Sequence, residues 1–548
     1  MIWRNEHFLF RGKDIFGKEV FSSFPPEIDI KIMESHDWLG DLWDQDASAQ
    51  EYDWNKPFFE QFLELRKTAP VPSRSVSVMV NSDYSNNGNR VKDSYLVFGA
   101  MAAEQCYYSE NLTNCKDCFD SSSVVDCEIS YESFMNLKCY KSFYSSFCED
   151  CHDISFCTDC VGCSDCFGCV GLKNKSHCFF NQSLPKEEYA AKVADFKPGT
   201  KSGLLRAAEE FKKFRLGFPV KYAKNYRNDN CTGEYVSNSR NVKKSYNVIQ
   251  GENLKYCQFL FSKNAKDSYD HYRYGENTEL IYESGSCGTN SSRVMFSYQC
   301  WSNCSNLQYC YQCLNSSDCF GCVALHHKKY CILNKQYSKE EYENLVPKMI
   351  KHMEAMPYTD KVGRIFKYGE FFPPEISPQT YNTSIVQEFF PLKKEEAIAR
   401  GYIWHELEKR DHRATKEASE LPDATLDASE EITREIFGCE HGGTCDHQCT
   451  KAFRILAQEL AFYERYNIVL PRICPNCRYF ERISQRAPIQ LWNRVCQCAG
   501  AQSASGAYQN TTSHFHKDGQ CPNSFETSYA PDRPEIVYCE QCYNAEVA

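Results

Sequence analysis

Cysteine is absent from the first 105 residues, although the chain of 548 carries 33. No run of apolar residues approaches the length needed to span a bilayer, so no membrane is expected. The opening MIWRNEHFLFRGKDIFGKE places charges where a secretory signal needs its apolar stretch. These absences lead to the expectation of a cytoplasmic protein with reduced thiols, where cysteine clusters signal metal, redox chemistry or packing. Excess positive charge is also missing: the net charge is −11, which argues against a dominant phosphate-binding surface. There is no phosphate-cradling glycine loop, no HExxH helix and no nucleophile elbow. Potential acid, base and nucleophilic groups are scattered, no catalytic residue is assigned, and the reading leans away from an enzyme.

What the chain does have is ordered cysteine. Thirteen lie between Cys106 and Cys178, ten between Cys231 and Cys331, and ten between Cys439 and Cys542. The heptad SDCFGCV stands at 164–170 and again at 317–323, and the match extends without a gap through FNQSLPKEEYAAKV and LNKQYSKEEYENLV. Upstream, NRVKDSYLV (89–97) resembles RNVKKSYNV (240–248) and ISYES (129–133) resembles LIYES (280–284), now 151 apart rather than 153. A duplicated unit explains all three matches.

Within the first copy, Cys139, Cys148, Cys157 and Cys166 are nine apart, as are Cys151, Cys160, Cys169 and Cys178; the second keeps Cys304, Cys313, Cys322 and Cys331. A short fixed period predicts one stacked structural step per repeat. Asp or Asn repeatedly precedes the cysteine, at 114, 117, 126, 150, 159, 165, 303 and 318. Such side chains suit tight left-handed corners. Pro185 and the Ser338–Glu341 capping-box spacing predict a helix closing each unit. CTDCVGCSDCFGC invites a thiolate-metal reading, but it lacks the ferredoxin spacing, and the second copy puts Ser316 where the first has Cys163. Packing of small, buryable side chains is the preferred reading there.

The C-terminal cysteines read differently. Cys445 and Cys449 form one pair and Cys474 and Cys477, in CPNC, another, with a helix between, a layout suited to four thiolates around zinc. A second set comprises Cys521, Cys539 and Cys542, with Cys496 or Cys498 as the fourth ligand and His514 and His516 as lesser candidates. FETSYAPDRPEIVY is expected to form a β-hairpin, and YCEQCYNAEV to start a helix on CxxC. Two structural zinc ions are expected. At the N-terminus, KEVFSSFPPEIDIKIMESHD lies over SFETSYAPDRPEIVYCEQCY, with Glu34 and Asp37 in place of Cys539 and Cys542.

The expected fold is therefore mainly β: duplicated parallel β-solenoid-like repeat units with capping helices, plus C-terminal zinc-ribbon or treble-clef modules. The expected division is an N-terminal hairpin-plus-helix module at 1–66, repeat units at 78–193 and 225–357, a helical and polar linker at 358–438, and a double zinc module at 439–548. KKEEAIARGYIWHELEKR is read as a helix within that linker.

FGCVALHHKKYCILNKQYSKEEYE, CEHGGTCDHQCTKAFRI, CPNCRYFERISQR and CPNSFETSYAPDRPEIVYCEQCYNAEV together resemble a group of uncharacterised cysteine-rich proteins predicted from uncultivated small-genome bacteria. The resemblance runs over nearly the whole chain. It implies zinc modules flanking a repetitive β region, and no activity. Relatives in that group often keep ligand cysteines in the N-terminal hairpin, from which Glu34 and Asp37 depart. The functional expectation is a zinc-stabilised scaffold with an unknown protein partner. The alternatives are a nucleic-acid-binding zinc protein, for which Arg472, Arg478, Arg482 and Arg486 offer a cluster, and a metal or redox protein using the repeat-unit thiols.

Overall fold

The eight Asp and Asn residues that precede cysteines all turn the backbone into the left-handed region: Asp165 has φ 49° and Asp318 φ 53°. Six of them belong to a longer series in which nearly every third residue from Val78 to Phe180 has positive φ, and Asn303 and Asp318 belong to a similar series in the second copy. Asn and Asp tolerate this conformation by bonding locally, and glycine, at 162, 168 and 171, tolerates it for lack of a Cβ. The chain thus advances in three-residue sides: a corner, an inward residue, then a residue facing away from the interior.

Four such sides bring the chain back onto itself. Tyr140 pairs in parallel with His152, His152 with Ser164 and Ser164 with Ser176, twelve residues at each step. The computed structural model, which describes residues 1–261, 263–406 and 413–547, is mainly β and contains two such stacks. A ten-stranded sheet runs from Val76–Val80 to Gln182–Ser183, and a larger one from Gly233–Ser237 to Lys335–Gln336. Every pairing is parallel except the last of each stack, where a two-residue strand folds back antiparallel over the edge.

The repeat is therefore twelve residues, not nine. Nine is the reach of a thiol. Cys157 Sγ lies 3.4 Å from the Ser155 carbonyl and 3.5 Å from that of Cys166, nine residues on. Cys139 and Cys304 make the same long contact at 3.4 and 3.5 Å. Serine substitutes naturally: Ser145 Oγ donates to the Phe143 carbonyl at 2.9 Å and accepts from the Cys157 amide at 3.0 Å. Inward positions thus select a small side chain that fills the narrow core and satisfies corner amides and carbonyls. Burial pushes the Cys127 and Cys257 thiols up to about 12, which keeps them protonated as donors at neutral pH.

The two stacks differ in their middle. Steps in the second lengthen to 14 residues at Gly251↔Ala265 and to 13 from Glu279 to Ser305, and return to 12 at Ser305↔Ser317. Counted back three rungs from Ser164 and Ser317, Glu128 and Glu279 coincide, so the ISYES and LIYES match holds. Six rungs back the partners are Lys92 and Arg240, which corrects the upstream alignment of 89 with 240 by three residues, one side of a rung.

Helices Lys186–Phe196 and Lys339–Ala355 follow the antiparallel strands directly, each beginning KEEY. Tyr189 packs edge-on to His177 at 5.9 Å, and Tyr342 packs on Tyr330 at 5.8 Å, equivalent contacts that cap the last rung of each stack. The Ser338–Glu341 capping box forms as expected.

At the N-terminus, Phe10–Lys13 and Glu19–Ser22 form an antiparallel hairpin, and Ile32–Met33 pairs in parallel with Val71–Pro72. The C-terminal hairpin of Trp492–Val495 with Ser524–Thr527, and the parallel pair Ile536–Tyr538 with Pro219–Lys221, repeat this plan. Glu34 caps the short helix Ser35–Trp38 by accepting from the His36 amide, at the place Cys539 holds before helix Glu540–Val547. Phe58, Phe59 and Phe62 then pack against Tyr309 and Phe320 of the second stack, while Phe462 and Tyr463 pack on Phe119 and Tyr131 of the first.

One expectation fails in the connecting region. The helix read over 393–410 stops at Ala399, and Gly401 at φ 77° turns the chain away; 407–410 lie outside the described residues. The polar stretch before Phe437 is tied down at two points. Lys416–Glu417 pairs with Phe437–Gly438, and Thr425, fully buried, donates to the Ile468 carbonyl at 2.6 Å. Among the described residues, no helix is long and apolar enough to cross a membrane.

Candidate metal centre

Two hairpin loops and two helix starts bring the C-terminal ligands together. The strands Phe437–Gly438 and Ala452–Phe453 pair antiparallel, so the loop between them presents Cys439, His441, Cys445, His447 and Cys449. Helix Ala457–Tyr466 crosses over, and helix Pro475–Ile483 starts on Cys474, with proline at its first position and Cys477 one turn in. The second centre has the same plan. Val495 faces Ser524 across a hairpin whose loop holds Cys496, Cys498, His514, His516 and Cys521. Helix Glu540–Val547 follows Cys539 and carries Cys542.

Each centre contains a four-thiol set with sulfurs within 4.8 Å of one another: Cys439, Cys449, Cys474 and Cys477, and Cys496, Cys521, Cys539 and Cys542. Cys521 and Cys539 are 3.9 Å apart, Cys542 and Cys521 3.7 Å, Cys474 and Cys449 3.9 Å. Tetrahedral thiolates at about 2.3 Å from a metal stand about 3.8 Å apart, so the sets fit one ion each. Amides already point at the sulfurs: Cys474 N donates to Cys439 at 3.3 Å, and Cys539 N to Cys496 at 3.1 Å. Hydrogen bonds from Cys439 and Cys496 draw the Cys474 and Cys539 thiols down to about 4, which favours thiolate at neutral pH.

The structure groups the candidate ligands differently from the pairing read from sequence. Cys439 takes the place given to Cys445, and Cys496 rather than Cys498 completes the second set. Cys445 and Cys498 instead join two histidines each: His441 and His447 around Cys445, and His514 and His516 around Cys498. Cys439, His441 and His447 escaped the sequence reading because it paired cysteines by CxxxC spacing. The signal was present in the parallel between Cys439-x-His441 and Cys496-x-Cys498, the first ligand of each loop followed two residues later by another. FETSYAPDRPEIVY is not a hairpin. Ser524–Thr527 pairs with Trp492–Val495 and Ile536–Tyr538 with Pro219–Lys221, because buried partners elsewhere outcompete the local return across Pro531 and Pro534.

Among the described residues, no set of three or more stack thiols converges like these. Nor do the four arginines form an exposed basic patch. Arg478 donates to Asp120 at 2.7 Å and Glu459 at 3.2 Å; Arg482 donates to Ser122 at 2.9 Å and the Tyr108 carbonyl at 3.0 Å. Arg472 donates to the carbonyls of Ala418 and Pro422, and Arg486 pairs with Glu110 and Glu388. Arg478, Arg482 and Arg486 thereby fasten the cysteine-bearing helix Pro475–Ile483 and its continuation onto the first stack.

No family model matches the chain, and no curated protein matches it. A solved structure of a candidate acetyltransferase from Desulfovibrio desulfuricans aligns over 45% of this chain at 10% identity, with a TM-score of 0.10. The chain spans 65% of that structure's length. So small a TM-score carries no argument about fold or activity.

Proposed function

We propose that the protein is a zinc-stabilised, non-enzymatic scaffold or protein-interaction protein, built on two cysteine-rich β-solenoids and held by treble-clef-like zinc modules. The observation that carries this reading is the pair of closed four-thiol sets, each spanning a hairpin loop and a helix start. Four thiolates suit zinc and leave no vertex for water or substrate, the arrangement of a structural rather than a catalytic site. The engagement of the stack thiols with backbone carbonyls supports a packing role for them, in a reducing, cytoplasmic setting.

A partner surface is supported by Tyr256, Tyr269 and Tyr282, exposed on the second stack, where Tyr269 sits directly beneath Tyr282 in register. Exposed tyrosine ladders supply contact area at low entropic cost. Metal analysis and chelator-dependent melting of the full chain test the proposal: stoichiometric zinc, with a melting temperature that collapses on chelation, is expected. A visible absorption band from bound iron in anaerobically purified protein would replace it with the redox reading. A photo-crosslinker at Tyr269 is expected to give discrete protein adducts; salt-sensitive retention on RNA without them would favour a nucleic-acid partner.

A further inference from the structure

We infer that each centre binds two metal ions that share one thiolate, Cys477 in the first and Cys542 in the second, so that the chain holds four ions rather than two. The inference rests on the reading above that the four-thiol sets hold zinc, and adds a second site beside each. Its ligands are His441, Cys445, His447 and Cys477 in one centre, and Cys498, His514, His516 and Cys542 in the other. In both, the four ligand atoms lie within 4.8 Å of one another, and in both the shared residue is the second cysteine of CxxC. Two loops of different length and sequence arrive at the same set: two imidazoles, one private thiolate and one shared. Convergence on that composition argues for selection by a ligand.

The individual contacts have the form of coordination. Cys498 Sγ lies 2.9 Å from His514 Nδ1 and 3.3 Å from His516 Nε2, and His516 Nε2 lies 3.5 Å from Cys542 Sγ. His514 presents Nδ1 to the site because its Nε2 faces the buried Glu546 carboxylate at 2.7 Å, the second-layer partner that metal-bound histidines use to fix ring and tautomer. The first centre repeats the device: His441 Nε2 lies 3.3 Å from Glu481 Oε1, leaving a buried Nδ1 with no hydrogen-bond partner among the described residues. The buried Nδ1 of His447 is likewise unpartnered. Asn510 Nδ2 donates to Cys498 Sγ at 3.3 Å, a further outer contact to this ligand atom. Charge favours the pair as well. Four thiolates around one divalent ion leave a net charge of two minus, whereas five thiolates around two ions leave one.

Cadmium-113 exchange into the full chain, followed by NMR, tests the sharing. Four resonances are expected, two in the all-thiolate range and two shifted by imidazole ligation, with each all-thiolate line scalar-coupled to one of the others through the common sulfur. His514→Ala in the zinc protein is expected to lower the metal count from four to three while the tertiary circular dichroism is retained. Two uncoupled resonances, and a zinc count of two that His514→Ala leaves unchanged, would overturn the inference and leave the four-thiol reading standing. A protein that binds no zinc or cadmium would overturn both.

Discussion

Cys157 Sγ sits 3.5 Å from the carbonyl oxygen of Cys166, nine residues ahead and on the rung above. The contact spans three sides of a four-sided, twelve-residue repeat, a spacing at which one inward position follows another, and it makes the inward thiol a structural donor. Cys166 continues the series, 3.2 Å from the Ser164 carbonyl and 1% exposed, and Cys319 occupies the matching place in the second stack, fully buried and 3.2 Å from the Ser317 carbonyl.

Cys166→Ala should therefore cost about 1–2 kcal/mol through lost packing and a lost donor, while Cys166→Ser, which keeps the donor, should cost about 1 kcal/mol or less. Denaturant titration measures both, and zinc content is expected to stay at the wild-type value. Loss of metal in either variant would reassign this cysteine as a ligand.

The corners make a separate prediction. Asp165, at φ 49°, should accept glycine with little change, whereas Asp165→Val should destabilise by about 1–2 kcal/mol, since a β-branched residue is strained there. Gly168, at φ 70°, has the added constraint that a new Cβ would stand 2.9 Å from the Phe180 ring, so Gly168→Ala should be worse than Asp165→Ala. Equal melting temperatures for the Gly168→Ala and Asp165→Ala proteins would contradict the corner geometry.

Asp120 is fully buried between Arg478 and Arg482. Removing its charge leaves Arg478 with Glu459 alone and Arg482 with Glu132 at 3.7 Å, so Asp120→Asn should cost about 3 kcal/mol, and the loss should be smaller when Arg478 is already Met. Additive losses in a double-mutant cycle would show that the pair is not coupled.

His271 supplies the pH dependence. Burial pulls its imidazole down to about 4 against an ordinary value of 6.5, with Nε2 3.0 Å from the Cys287 carbonyl. A histidine whose folded value is depressed contributes stability above 6.5 that is lost as pH falls toward 4. Wild-type protein should lose about 2 kcal/mol more than His271→Asn between pH 7 and pH 5. Parallel stability curves for the two proteins would remove His271 from the account.

Much of this was legible in the sequence because it is local. A left-handed corner needs Asp, Asn or Gly, and eight such corners were readable directly before cysteines. The twelve-residue rung was not, since it is set by pairing between distant sides, and many of its inward positions are serine or valine rather than cysteine. For the same reason the nine-residue signal carried thiol reach instead of rung length. The candidate metal centres were half legible. CPNC and YCEQC declare helix-start ligands, but Cys439, His441 and His447 come from a loop whose shape depends on the pairing of Phe437 with Phe453. The arginines after Cys477 looked like a surface cluster because two of their acidic partners, Asp120 and Glu110, lie more than three hundred residues upstream.

The most direct test of the account is the zinc content of the intact protein beside that of the double variant Cys474→Ser/Cys539→Ser. Wild-type protein is expected to carry stoichiometric zinc, and the variant to lose zinc from both centres and with it the fold of the C-terminal region, which depends on binding free energies of about 10–16 kcal/mol. The 23 stack cysteines, 13 in the first cluster and 10 in the second, should retain none. Zinc content that is the same in the two proteins would contradict the account at its centre.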